Sequence, residues 1–153
     1  MSKRILSSAR TGVHSAIAAD MFDMEFDGET STVIPLPEAL LARHDVGVVM
    51  VVGPSGSGKT QILHHVASRA THRSVVQWTP ELPTRSIRSG TLLDEFTTGL
   101  DRVCAKRVSI ELHACIERGD IENLWISTVH IDIVPFVRPA WVWFTASNHL
   151  VDG

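Results

Sequence analysis

Val46-Gly-Val-Val-Met-Val-Val-Gly53-Pro-Ser-Gly-Ser-Gly-Lys-Thr60 is an apolar run, then a glycine-rich turn, then Lys-Thr at the head of an amphipathic segment. It matches G-x-x-x-x-G-K-[ST] in full, in the strand-then-helix context the pattern requires. Gly53, Gly56 and Gly58 predict backbone conformations that side chains would block, so that successive N–H groups point into one concavity. A helix opening near Lys59 adds the positive end of its dipole. Gly53, Pro54, Ser55, Gly56, Ser57, Gly58, Lys59, Thr60 and Gln61 are therefore the candidate phosphate cradle. In it Lys59 would reach the β- and γ-phosphates of a nucleotide, and the Thr60 hydroxyl would take a place on Mg²⁺.

The continuous apolarity of residues 46–52 suits a strand buried on both faces of a parallel sheet. Downstream, Ile62, Leu63, Val66 and Ala67 recur at helical spacing, which predicts a helix from Lys59 to about Ala70. Ser74 to Trp78 reads as a short strand, and the two prolines and glycine of 79–90 as a loop. Thr91-Leu-Leu-Asp94-Glu95 is a short strand ending in two acids: one placed for Mg²⁺, the next for the attacking water. Residues 101–118 form the strongest helix pattern, with Val103, Cys104, Val108, Leu112, Cys115 and Ile116 as its apolar face and Gly119 as its stop. Leu124 to His130 is a strand that delivers a histidine to a strand end, where open α/β sheets bind ligands. Ala140 to Phe144 reads as an edge strand with Trp141 and Trp143 on one face.

Upstream, Thr30 to Ile34 predicts a strand and 37–43 a helical turn. Residues 1–20 read as a flexible N-terminal segment and 21–153 as the globular core. At 153 residues, 44% hydrophobic and 20% charged, the chain has the composition of a soluble globular protein. The net charge of −3 supplies no basic field for nucleic acid, and no apolar run reaches a membrane span. A secretory signal is not expected either, which points to the cytoplasm. Cys104 and Cys115 stand about 16 Å apart along one predicted helix, too far for a disulfide, and read as buried thiols in a reducing cytosol. His64, His65 and His72 do not form a metal set by spacing, because adjacent helical residues point in different directions.

Gly-Pro-Ser-Gly-Ser-Gly-Lys-Thr at 53–60, Leu-Leu-Asp-Glu-Phe at 92–96, Thr-Thr-Gly-Leu-Asp at 97–101 and Thr-Val-His at 128–130 resemble the Walker A, Walker B, D-loop and switch-histidine motifs of ABC-type ATPases. The surrounding residues are similar to the subgroup associated with an acetyltransferase-like domain. The resemblance implies a three-layer α/β P-loop NTPase with a mostly parallel sheet, binding ATP and Mg²⁺. It implies Thr60 and Asp94 as metal ligands, Glu95 and His130 as catalytic residues, and Asp101 in a loop that communicates across a homodimer or with a partner protein. Phe22 or Phe26 would stack on adenine, and Gln77 is the candidate for the family's Mg²⁺-contacting glutamine. One departure is plain: the helical arm and its Leu-Ser-Gly-Gly-Gln-like signature are missing between Thr60 and Asp94, which fits a divergent small protein or a truncated or misassembled reading frame. Two alternatives stay open. One is a small P-loop kinase with Arg85 and Arg88 as a phosphate lid; the other is a hydrolysis-deficient nucleotide-sensing module that docks on an acetyltransferase-like or other partner.

Overall fold

The computed structural model describes residues 2–8, 29–43, 45–69 and 74–153, which fall into two compact units, Met1–Pro35 and Leu36–Gly153. In the first, β1 (Ser2–Ser8) pairs antiparallel with β2 (Glu29–Pro35), Ser2 opposite Pro35 and Ser8 opposite Glu29. Phe22, Phe26 and His72 lie outside the described residues.

The second unit is a mixed α/β fold around a six-stranded, mostly parallel sheet. Its elements are α1 (Glu38–Leu41), β3 (Val49–Val52), α2 (Lys59–Arg69), β4 (Val75–Gln77), β5 (Leu92–Asp94), α3 (Arg102–Glu117), β6 (Trp125–Thr128), α4 (Val134–Val137), β7 (Trp141–Phe144) and β8 (His149–Asp152). The strand order is β4-β5-β6-β3-β7-β8. All neighbours pair in parallel except β8, which runs antiparallel to β7. Central β3 is buried at every residue, as its unbroken apolar run requires.

Side-chain alternation divides the core into two layers. Met50, Leu93, Ile126 and Val142 join Ala105, Leu112 and Cys115 of α3 and Val137 of α4 in one cluster. Ile62, Leu63 and Val66 of α2 are buried outside that cluster, and α2 packs over β4, β5 and β6. Helix α3 starts where Asp101 accepts hydrogen bonds from the N–H groups of Val103 and Cys104, both at 2.9 Å, and stops before Gly119 at φ +76°.

Three expectations need correction. Strand β7 is not an edge: β8 covers it, and Arg43 lies over the Trp141 ring at 5.5 Å. The inward face of α3 is Ala105, Ser109, Leu112 and Cys115, with Val108 and Ile116 at its margin, whereas Val103 is 71% exposed. Val103 sits in the first turn, where the capping geometry of Asp101 sets the rotation of the helix. Cys104 is half-buried and only Cys115 is buried; both are free thiols. No described helix is long and apolar enough to cross a membrane.

Leu112, fully buried under the sheet, should cost about 2–5 kcal/mol when cut to alanine, against less than about 0.5 kcal/mol for Val103→Ala. Urea midpoints of the two variants measure this; equal losses would contradict the rotation of α3 described above.

Candidate functional site

Register decides the site. Pairing Val52 with Thr128 and with Phe144, and Gln77 with Asp94, aligns the carboxyl ends of five strands. Gly53 then hydrogen-bonds from its N–H to Thr128 O at 3.3 Å, and the chain turns through residues 54–58 into α2. Gly56 and Gly58 have φ of +76° and +87°, conformations that glycine adopts without strain.

Gly53 is different, and the expectation for it is revised. Its φ is not positive; a Cβ there would stand 1.8 Å from Thr145 Oγ1. The residue is small because another side chain occupies the space. Pro54 also departs from an all-amide cradle, since it has no N–H. Its carbonyl instead accepts a hydrogen bond from Lys59 Nζ at 2.7 Å. This folds the Lys59 side chain back along the loop, where it is buried. Burial lowers the Lys59 pKa, and the charges of Asp94 and Glu95 act in the opposite direction.

Asp94 is gripped on both oxygens. Thr60 Oγ1 donates to Oδ2 at 2.8 Å, while Ser127 Oγ donates to Oδ1 and the Glu95 N–H approaches the same oxygen at 3.1 Å. The Glu95 N–H also donates to Ser127 Oγ at 3.0 Å. Glu95 and Thr97 have φ of +56° and +67°, which non-glycine residues rarely adopt. Between them Phe96 is fully buried edge-on to Trp78, with ring centroids 5.6 Å apart, and its N–H donates to Ser127 O at 2.8 Å. The two turns of backbone leave the Glu95 side chain exposed beside Gln77, whose Nε2 donates to Glu95 Oε2 at 2.8 Å.

His130 emerges from the end of β6 with its Nδ1 at 2.8 Å from Thr97 Oγ1. Burial pushes the imidazole below its ordinary value, the Arg102 guanidinium adds to this, and Asp132 opposes it. Arg102 and Asp132 are themselves joined, with the guanidinium Nε donating to Oδ2 at 2.9 Å.

The structure thus brings together Lys59, Thr60, Asp94, Glu95, His130 and Gln77 at one edge of the sheet. Gln61 is exposed on the first turn of α2, and Asp101 is occupied as the cap of α3. Arg85 and Arg88 lie at the opposite end, where residues 84–91 enter β5 and line a pocket with Cys115 and Arg118. This takes the lid away from the kinase alternative. Ser127, Thr97 and Thr145 were not anticipated. Each is a hydroxyl residue near a strand end, and only the register shows what it faces.

No protein-family model matches the chain, and no curated protein matches it. Among solved structures, a single-residue variant of RuvB from Thermotoga maritima is similar, at TM-score 0.47 and 19% identity over 70% of this chain. The chain spans about 40% of the length of that structure.

A neutral His130 is favoured by folding, because its folded pKa lies below the unfolded value of about 6.5. Its contribution to stability is complete above that unfolded value and is lost as pH falls through the lowered folded one. Urea midpoints measured between pH 8 and pH 5 should therefore fall more steeply for the native protein than for His130→Gln; parallel curves would refute the assignment.

Proposed function

We propose that the chain binds ATP with Mg²⁺ through the 53–60 loop and hydrolyses it as an ABC-type ATPase core without the helical arm. The observation that most supports this is the convergence of buried Lys59, the Thr60–Asp94 pair, Glu95 and His130 on one glycine-rich loop. The motif order from residue 53 to residue 130 supports the ABC-type assignment within the wider class of P-loop ATPases.

The N–H groups of the loop after Pro54 and the Lys59 ammonium hold the phosphate oxygens. Thr60 Oγ1 and Asp94 Oδ2 already lie within 2.8 Å of each other, a pair of hard oxygen donors suited to Mg²⁺. When bound, Mg²⁺ neutralises charge on the β- and γ-phosphates. Glu95 accepts a proton from the attacking water, and the amide of Gln77 holds its carboxylate in place. Gln77 is thereby assigned to the acid rather than to the metal. The 2.8 Å contact between Thr97 Oγ1 and Nδ1 holds the His130 ring at this edge and leaves Nε2 to contact the γ-phosphate and the attacking water. The products are ADP and inorganic phosphate.

Residues 78–91 carry one 3₁₀ turn, Thr84–Ser86, where the family resemblance calls for a helical arm. This favours, as a second reading, the hydrolysis-deficient nucleotide-sensing module that docks on an acetyltransferase-like or other partner.

Lys59→Ala is expected to weaken ATP binding about 100-fold, the scale of a lost charge-assisted contact. Glu95→Gln should bind ATP within a few-fold of the native protein and lose hydrolysis by about 10²–10⁴-fold. Calorimetric binding and phosphate release measure the two; an unchanged affinity in Lys59→Ala would rule out the phosphate-loop assignment.

A further inference from the structure

We propose that Thr145, one residue beyond β7, is a positioning residue for the phosphate loop, tying its return limb to its root; this rests on the phosphate-binding reading above. Because Phe144 pairs with Val52, the next residue on each strand is brought to the same level, and Thr145 stands against Gly53. Its N–H donates to Val52 O at 2.9 Å, extending the ladder one step past the strand. Its hydroxyl lies 2.7 Å from Ser57 Oγ and 3.3 Å from Val52 O. The root of the loop and its far limb are therefore held by one side chain.

Gly53 carries an imprint of this contact. An added Cβ would meet Thr145 Oγ1 at 1.8 Å and Ser57 Oγ at 2.9 Å, so the first glycine of the motif makes room for the hydroxyl pair. Gly56, by contrast, has nothing within 4 Å of a Cβ and is fixed by its φ alone. The middle of the loop, Pro54 to Gly56, is exposed, and its internal backbone bond, Ser57 N–H to Pro54 O at 3.3 Å, is long. Besides this bond only the Lys59 side chain, donating to Pro54 O at 2.7 Å, closes the loop on itself, so a tie between its root and its return limb from outside lowers the conformational entropy that binding must remove. Thr145 supplies that fastening without itself facing the phosphates, so it sets affinity by preorganisation.

The test compares the native chain with Thr145→Val and Thr145→Ser, reading affinity for Mg·ATP and for inorganic tripolyphosphate, which has no nucleoside. Removing one hydrogen bond that fixes the loop should weaken both ligands by about ten-fold in Thr145→Val, while Thr145→Ser stays within about two-fold of native. Amide exchange of residues 55–58 without ligand should be faster in Thr145→Val and native-like in Thr145→Ser, a change that general destabilisation would spread over β3 as well. Equal affinities in the native chain and Thr145→Val overturn the inference alone. The same holds if Thr145→Ser loses as much as Thr145→Val, since the methyl and not the hydroxyl would then matter. A native chain that binds neither ligand overturns the phosphate-binding reading and this inference with it.

Discussion

The parallel pairing of β6 with β3 on one side and β5 on the other is the constraint from which the rest follows. Val49 opposite Trp125 and Leu92 opposite Trp125 set three strands level, and every functional side chain is then placed by counting residues to the carboxyl edge. A slip of one residue in β6 would exchange its two faces. Ile126, now in the cluster under α3, would trade places with Ser127, and Asp94 would lose the Ser127 hydroxyl from Oδ1. Burial of Trp125, Ile126 and Leu124 on alternate faces therefore fixes chemistry several residues away.

The same edge concentrates polar groups that a core would ordinarily reject. Lys59 and Asp94 are both buried, and an unpaired charge there would be expensive. Asp94 is compensated by Thr60, Ser127 and the Glu95 amide, and Lys59 by a carbonyl and the field of two carboxylates. The left-handed conformations at Glu95 and Thr97 cost about 1–3 kcal/mol each. They persist because Phe96 between them is buried against Trp78 and hydrogen-bonded to β6, so the strain is offset by packing one residue away. That arrangement turns Glu95 outward while Asp94 stays inward.

Much of this was legible in the sequence because it depends on local pattern. The run at 46–52, the helix after Lys59, the acids closing β5 and the histidine beyond β6 each announce themselves within a few residues. Strand β8 did not, since His149 to Asp152 is short and mostly exposed and carries no alternation to read. Unseen, it also made β7 look like an edge. The exposure of Val103 depends on how Asp101 caps α3, which spacing alone does not convey. The roles of Ser127, Thr97 and Thr145 were invisible for a different reason: their partners are 33, 33 and 88 residues away, and local spacing does not name a partner at that distance. Even Gly53, correctly marked by its motif, needed the structure to show that space and not φ explains it.

The short connection from β4 to β5 bears on what the site can do alone. A parallel crossover usually carries a helix. Here residues 78–91 run as a loop with one 3₁₀ turn that packs on α3. Glu95 and Val129 face solvent, and His130 is only partly covered. Lys59 and Asp94 are buried at the root of the site, whereas Pro54 to Gly56, Thr60 and Glu95 are exposed at its mouth. Electrostatic stabilisation weakens where water screens it, and an open site lets its acid sample other rotamers. Under the function proposed here, a surface that covered Glu95 and His130 from outside would strengthen the electrostatics of the water-activating side without touching the buried Lys59–Asp94 root.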